Sequence, residues 1–320
     1  MYTASVNTAP QEQEHKDLIH DTQFDFYGQL LATAGSDRTV GVYTAAGGPL
    51  RRIATLSGHD GPVWAVKWAH PRFGKIVASG SYDQKAILWK EQAQGWGPIH
   101  VISVHRGSVN AVDWAPDIYG PILATASSDG TIAVTPYRGG VWQDSVRVSN
   151  NSNHIAHAMG ATCVSFAPFK TAIAGRLLLA SGGCDGRVRI WTSLLRDGVE
   201  EPFTFCQALE NHQDWVYDVS FSPMSSSLPY LLLASCGKDN CVIIYREMWD
   251  ELAAGFEEDR ATSWEQSVVK FDNPCWKVSW SPSGEKLIVT TASAEVFVLY
   301  EGSDFVEPWI KVPLSSFENQ

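Results

Sequence analysis

A short segment that ends in aspartate recurs along this chain of 320 residues. Each copy opens with alanine followed by small residues, as in segment 78–83. Five copies end at Asp37, Asp83, Asp129, Asp185 and Asp239, at intervals of 46, 46, 56 and 54 residues. A sixth, degenerate copy ends at Ala294. Such a period is typical of repeat architectures in which each repeat is one small supersecondary unit.

A second fixed interval, between a histidine and an aromatic residue, lies upstream of the aspartate segments. A histidine lies nine residues before an aromatic residue in five copies, and Phe271 replaces the histidine before Trp280 in the sixth. The five pairs are His15 and Phe24, His59 and Trp68, His105 and Trp114, His157 and Phe166, and His212 and Phe221. Six residues after the end of each small-residue segment stand Tyr43, Trp89, Thr135, Trp191, Tyr245 and Tyr300.

Apolar residues alternate within the units, as at Val188 and Ile190, which indicates half-buried strands. Each unit is predicted to contain four strands. A single four-stranded sheet cannot bury both faces, so the sheets pack face to face around an axis. We therefore predict one all-β domain, a six-bladed β-propeller. The predicted bounds are a tail or strand at 1–14 and blades at 15–57, 58–103, 104–155, 156–210, 211–269 and 270–313.

The net charge and the cysteine content limit which functions and cellular locations we expect for this chain. The net charge of −11 disfavours nucleic-acid binding, because phosphate backbones repel an acidic surface. No apolar stretch reaches the ~18–20 residues of a membrane helix, and segment 1–16 lacks the apolar core of a secretory signal. We expect a chain of the cytosol or nucleus whose 6 cysteines are reduced and serve as small apolar residues.

Serine, histidine and aspartate recur together in a way that resembles a hydrolase triad. A set repeated in most units is better interpreted as a buried hydrogen-bond network in each blade, since several active sites in one small chain are implausible. The predicted network residues are His59, Ser79, Asp83, Trp89, His105, Thr125, Asp129, His157, Ser181, Asp185, Trp191, His212, Ser235, Asp239 and Tyr245. We predict no catalytic residue and no enzymatic activity.

Cofactor motifs are absent from the sequence. His154 and His157 are three residues apart, but no cysteine or carboxylate completes a metal-ligand set around them. The glycine pairs occur at turns without a phosphate-binding loop. We expect no metal, no cofactor and no small-molecule substrate.

The longest insertion, at 246–267, is acidic and contains a segment, 248–254, that is compatible with a short helix. Trp96 and Trp142, in outer-strand positions, are expected to pack on the strand beneath them. For Trp249 and Trp264 of the insertion, packing and partner contact stay open as alternatives.

Gly58, His59, Trp68, Asp83 and Trp89 together resemble a WD repeat. More narrowly, the chain resembles the "secretory thirteen" family of small WD-repeat propellers, which serve in the outer layer of the COPII vesicle coat and in the Y-shaped complex of the nuclear pore. This resemblance runs from about His15 to Tyr300 and is carried by segments 19–21, 63–71, 180–185 and 214–219. The sister Seh-one nucleoporin shares segments 15–21 and 24–26, whereas the third and fourth units favour the first family.

The resemblance implies a propeller left open between its first and last blades and completed in trans by strands from a partner. The implied partners are the α-solenoid protein of the COPII outer cage and an α-helical nucleoporin of the Y complex. The implied locations are endoplasmic-reticulum exit sites, COPII vesicles and the nuclear pore, with membrane contact only through the assembled coat. An adaptor that reads short peptides on its flat face is an alternative from another class.

The outermost units depart most from the repeat, and terminal repeats are commonly atypical because they face something other than a sibling. We therefore predict the partner surface on the first and last blades. The candidate residues are Ile19, Phe24, Phe26, Val40, Val42, Trp276, Val278, Trp280 and Phe297.

Overall fold

In the computed structural model, residues 15–148, 155–170, 173, 175–196, 199–210, 212–223, 228–257, 261–302 and 308–317 are described. The predicted tail at 1–14 lies outside these residues. The described chain forms six antiparallel sheets, so the all-β prediction is confirmed. Each sheet is built from consecutive strands, which is the arrangement of a propeller blade.

The first three blades follow one another along the chain. Blade 1 contains β1 (Ile19–Phe24), β2 (Leu30–Gly35), β3 (Thr39–Thr44) and β4 (Arg51–Ser57). Blade 2 contains β5 (Val63–Trp68), β6 (Ile76–Ser81), β7 (Ala86–Gln92) and β8 (Gly95–Ile102). Blade 3 contains β9 (Val109–Trp114), β10 (Ile122–Ser127), β11 (Ile132–Arg138) and an outer edge split into β12 (Val141–Trp142) and β13 (Val146–Arg147).

The last three blades repeat the pattern. Blade 4 contains β14 (Ala161–Phe166), β15 (Arg176–Gly183), β16 (Arg187–Arg196), β17 (Val199–Glu200) and β18 (Thr204–Glu210), the last two both pairing with β16. Blade 5 contains β19 (Val216–Phe221), β20 (Tyr230–Gly237), β21 (Cys241–Met248) and β22 (Glu265–Lys270). Blade 6 contains β23 (Cys275–Trp280), β24 (Lys286–Thr291), β25 (Val296–Glu301) and β26 (Trp309–Pro313).

The hydrophobic core lies between blades. Successive blades share buried apolar clusters, from the first junction, where Val40 and Val42 meet Val66 and Trp89, to the fifth, where Leu232 meets Trp280. Within the described residues no such cluster joins blade 6 to blade 1. No described strand of blade 6 pairs with a strand of blade 1 either, so the propeller is not closed by backbone hydrogen bonds.

The insertion after β21 forms a helix, α1 (Trp249–Glu257), close to the helix that the sequence suggested. Trp249 is buried against the cluster between blades 4 and 5, and so is Trp264 on the return path. Packing therefore accounts for both tryptophans. Trp96 lies edge-on to Trp68, and Trp142 stacks on His100, as expected of outer-strand tryptophans.

The sixth unit differs from its sequence alignment by one residue. Ala294 has a φ of 61° and Gln84 of blade 2 has 72°, and each turn is closed by an amide bonding back three residues. Ala294 therefore corresponds to the residue after the repeat aspartate, and Ser293 takes the place of the aspartate. Buried Leu299, not Tyr300, then stands at the tryptophan position. The alignment went wrong because a positive φ at alanine leaves no mark in the sequence.

Candidate functional site

The predicted network is assembled in blade 2 by four segments: the loop before β5, the strand β6, the turn after β6 and the strand β7. His59 Nδ1 lies 2.9 Å from Asp83 Oδ2, and His59 Nε2 lies 2.8 Å from Ser79 Oγ. The indole N–H of Trp89 donates to the same Ser79 oxygen at 2.8 Å. Because Nδ1 faces a carboxylate, the neutral ring carries its proton there and accepts the serine hydroxyl at Nε2.

This geometry gives Ser79 no access to a substrate. Its side chain is fully buried, and its oxygen lies between the histidine ring and the indole. Each buried polar group finds a partner, which holds the turn after β6 and the loop before β5 in one position.

Blades 4 and 5 bring the same residue types together. In blade 4, His157 lies 2.8 Å from both Asp185 and Ser181, and Trp191 donates to Ser181. Arg189 adds a contact to Asp185 at 2.8 Å that the sequence analysis did not anticipate.

In blade 5, His212 lies 2.9 Å from Asp239 and 2.7 Å from Ser235. Tyr245 takes the tryptophan position, and burial raises its pKa to about 12.

Blade 3 assembles the network differently. His105 Nε2 lies 2.7 Å from Thr125, but Nδ1 is closer to Thr131, at 3.0 Å, than to Asp129, at 3.4 Å. Thr131 in turn donates to Asp129 at 2.6 Å, so the threonine hydroxyl bridges histidine and aspartate. Thr131 was missed because it lies outside the residue positions that the repeat shares.

Blade 1 has a network that the sequence analysis left out. His15 lies 2.9 Å from Asp37 and 2.6 Å from Thr33. The nine-residue interval to Phe24, which His15 shares with the other four histidines, was the available signal. Blade 6 places Phe271, Ser293 and Leu299 at the corresponding positions, so its described residues form no such histidine network.

Burial and hydrogen bonding shift the pKa values of His59, His157 and Asp37 in these networks. Burial lowers the pKa of His59 and of His157, although the neighbouring carboxylates pull in the opposite direction. Burial alone would raise the pKa of Asp37, but hydrogen bonds from His15, Thr39 and the Lys16 backbone lower it to about 2. The folded protein therefore favours the neutral form of His59 and His157 and the ionised form of Asp37.

We call the junction between blades 6 and 1 the seam. The blade faces that border it differ from the blade faces at the other junctions. In blade 2, every residue of β6 is buried, whereas in β24 of blade 6 Ile288 is 41% exposed between buried Leu287 and Val289. On β26, which is separated from β24 by β25, Ile310 is also 41% exposed. Within the described residues, these two apolar side chains of blade 6 are not covered by a sibling blade.

Most predicted partner residues do not lie on this open face. Val40 and Val42 are fully buried against blade 2, and Val278 and Trp280 are buried against blade 5. Phe297 is partly buried on the same cluster, with its ring 5.2 Å from Phe271. These five were predicted from their place in the outermost units, and their side chains lie on the faces that pack on the sibling blades.

The other four candidates are exposed. Ile19 and Phe24 are each 52% exposed and Phe26 is 70% exposed, all on blade 1. Trp276 is 48% exposed, although its ring stacks on Tyr217 with centroids 4.3 Å apart. These residues are accessible from solvent at the inner strands β1 and β23 or the turn after β1.

Metal ligation finds no support in the geometry. No group of three or more histidine, cysteine or acidic side chains in the described residues could hold a metal ion. All six cysteines are free thiols, and burial raises the pKa of the Cys275 thiol to about 12. No helix in the described part of the chain is long and apolar enough to cross a membrane.

Comparison with known proteins identifies the repeats. The family model of the WD domain, G-beta repeat, matches residues 10–44, 50–90, 96–134, 149–192 and 203–246. The protein transport protein SEC13 of Candida albicans is 41% identical over 291 residues, covering 86% of this chain and 89% of the relative. The chain belongs to the Sec13 family of WD-repeat proteins.

Two further relatives extend the range of organisms. The SEC13 homolog of Dictyostelium discoideum is 38% identical over 303 residues, covering 91% of this chain and 93% of the relative. The SEC13 homolog of Drosophila melanogaster is 37% identical over 322 residues, covering 95% and 83% respectively. The predicted family, rather than its sister, is thereby confirmed. As a Sec13-like chain, the protein is a protein transport protein of a generally non-enzymatic scaffold family.

Proposed function

We propose that this chain is a non-enzymatic scaffold whose open six-bladed propeller is completed in trans by strands from an α-solenoid partner. The assemblies are the COPII outer coat, which acts in export from the endoplasmic reticulum to the Golgi, and the Y complex of the nuclear pore. The observation that carries the proposal is the seam, where blade 6 exposes Ile288 and Ile310 and no blade of the described chain covers them.

An inserted blade would cover the exposed face of blade 6 and fill the gap between blades 6 and 1. Its strands would bury the apolar positions of β24 and β26, and each buried aliphatic side chain contributes about 1.5–3 kcal/mol. Addition of strands between two blades is a form of β-augmentation, in which neighbouring side-chain pockets give selectivity. The role is mechanical, since the propeller would stiffen the partner's rod where the coat or pore curves the membrane.

We infer further that the histidine networks are structural. Support comes from the burial of Ser79 and from the recurrence of the same contacts in several blades. A chain that used one serine as a nucleophile would need that serine to reach solvent, and the other networks would remain unexplained.

Co-expression tests the scaffold proposal. The α-solenoid coat protein or nucleoporin of the same organism is expected to co-purify with this chain and to raise its melting temperature, since ligands that bind only the folded state stabilise it. Ile288→Glu and Ile310→Glu should each lower partner affinity at least about tenfold, because they place a charge in the apolar contact.

The matched control is Ile118→Glu. Ile118 is 54% exposed and lies in blade 3, far along the chain from the seam. This variant should bind the partner as the wild type does. A chain that recovers neither coat nor pore proteins, and whose stability does not respond to either partner, would instead act as a peptide-reading adaptor.

A further inference from the structure

Hydrogen bonds join neighbouring inner strands, and each junction from blade 1 to blade 6 has at least one that the later blade donates. Two junctions also carry a bond of the opposite direction, from Asn110 to the Ala161 carbonyl and from Thr162 to the Val216 carbonyl. Asp21 Oδ2 of blade 1 accepts the backbone N–H of Val66 at 3.0 Å, and Asp218 Oδ2 of blade 5 accepts that of Val278 at 3.1 Å. In each case an acceptor on one blade binds a donor on the next blade along the chain.

The other three junctions follow the same direction. Asp113 Oδ2 accepts the Phe166 N–H at 2.7 Å, and Ser165 Oγ accepts the Phe221 N–H at 3.1 Å. Between blades 2 and 3, the Lys67 carbonyl oxygen accepts the indole N–H of Trp114 at 3.1 Å. A short acceptor suffices because the inner strands lie directly beside one another at these five junctions.

The seam carries a contact of another kind. β23 and β1 do not lie beside each other as the other inner strands do, yet Lys277 Nζ of blade 6 reaches Asp21 Oδ1 of blade 1 at 3.3 Å. A long lysine side chain thus bridges a gap that a short acceptor could not span.

The two partners of this ion pair are held unequally. The Asp21 side chain is 16% exposed, and its second oxygen accepts the backbone N–H of Val66. Asp21 is therefore held in place by the junction between blades 1 and 2. The Lys277 side chain is 52% exposed. Burial opposes the charge of Lys277, but Asp21 and Asp218 outweigh that effect and raise its pKa. Lys277 therefore has a second carboxylate, Asp218, on its own side of the seam.

We propose that the ion pair between Asp21 and Lys277 is a latch across the seam of the unpartnered protein, which an inserted strand must open. The proposal rests on the proposed function, since it concerns the same insertion. An inner strand placed between β23 and β1 occupies the space that Lys277 crosses. Lys277 then leaves Asp21 and keeps Asp218 as its counter-charge, while Asp21 keeps its bond to Val66.

Three variants and a matched control isolate the latch. Asp21→Asn retains an oxygen for the Val66 N–H and removes the charge, and Lys277→Gln removes the other partner. The double variant tests whether the two act as one pair. Lys75→Gln is the control, because Lys75 is 54% exposed and pairs with Glu91 at 2.7 Å within blade 2.

Hydrogen exchange of the free protein is the first measurement. Peptides that cover β1 and β23 should exchange about two- to fivefold faster in each latch variant, the range expected for a partly exposed ion pair. The double variant should match the single ones, and added salt should speed exchange in the wild type alone. Unchanged exchange of β1 and β23 in the latch variants, or an equal change of these strands in Lys75→Gln, overturns the latch.

Association kinetics with the purified strand-donating segment of the α-solenoid partner are the second measurement. Latch variants should associate about two- to fivefold faster than the wild type, because the displaced contact is already absent. If the wild type binds the segment and the variants bind at the same rate or more slowly, the latch is wrong and the scaffold proposal stands. Faster exchange without binding of the segment to any variant overturns the insertion and leaves the ion pair as a closure of the seam.

Discussion

Blade 2 and blade 6 have the same strand order but different surroundings. Blade 2 packs on a sibling at both faces, buries all of β6 and assembles a histidine network. Blade 6 packs on a sibling at one face and replaces the histidine with Phe271. The repeat signature is therefore complete in the enclosed blade 2 and degenerate in blade 6, although blade 1 on the other side of the seam keeps its histidine network.

Removal of a network histidine should produce the largest difference between the two blades. His59→Ala leaves Ser79 and Asp83 without their partner in a buried setting, and we expect a loss of about 2–3 kcal/mol in the free energy of unfolding. Urea titration followed by tryptophan fluorescence measures this loss.

Ser293→Ala in blade 6 is the matched control for the histidine variant. Ser293 is exposed, so its substitution should change stability by no more than about 0.5 kcal/mol. Partner selectivity should be unchanged in both variants. An unaltered stability of His59→Ala would count against a structural role for the networks.

Acidification should weaken the enclosed blades next. The pKa values of His59 and His157 are lowered by burial, so below about pH 6.5 the unfolded chain takes up protons that the folded chain does not. Stability is therefore complete above the ordinary histidine pKa and declines as the pH falls through it. Asp37, with a pKa of about 2 against 3.8, adds a further loss below about pH 4.

Unfolding measured between pH 7.5 and pH 4.5 checks this expectation. His59→Gln should show a shallower decline than the wild type, since one of the titrating groups is gone. A stability that rises on acidification would contradict the assignment of neutral histidine in the networks.

The hydrogen bonds between inner strands allow a further comparison of two variants, whose free energies of unfolding should differ by about 1 kcal/mol. Ser165→Ala removes the acceptor of the buried Phe221 N–H, and we expect a loss of about 1 kcal/mol. Ser279 holds the same strand position in blade 6, but in the described part of the chain no following blade donates an N–H to it. Ser279→Ala should therefore be near neutral in the free protein by urea titration, and a loss equal to that of Ser165→Ala would refute the comparison.

Sequence alone predicted what depends on the repeat itself. The six blades and the networks around His59, His157 and His212 follow from spacings that each copy shares. The bridging role of Thr131 and the bond from Asp113 to Phe166 could not be predicted, because they depend on one blade's own side chains or on the next blade in space.

The partner surface shows a different limit of sequence reasoning. The prediction from the outermost units included Val40 and Trp280, which face siblings, and omitted Ile288 and Ile310 at the seam. Successive side chains of β24 lie on opposite faces of the sheet, so their alternation alone separates the two faces of this strand. Which face meets the seam is a property of the ring and not of one strand.

The smallest expected effect concerns the turn of blade 6. Ala294 has a φ of 61°, where a Cβ is disfavoured, whereas Gly130 and Gly186 follow the repeat aspartates of blades 3 and 4. Ala294→Gly should therefore raise the free energy of unfolding by about 0.5–1 kcal/mol, the relief of backbone strain exceeding the added entropy of the unfolded chain. Ala292→Gly, in the same exposed turn without a positive φ, should lower stability slightly. Equal shifts in the two variants, measured by thermal unfolding, would show that flexibility and not the φ of Ala294 decides the result, and blade 6 would then share the turn of its siblings without strain.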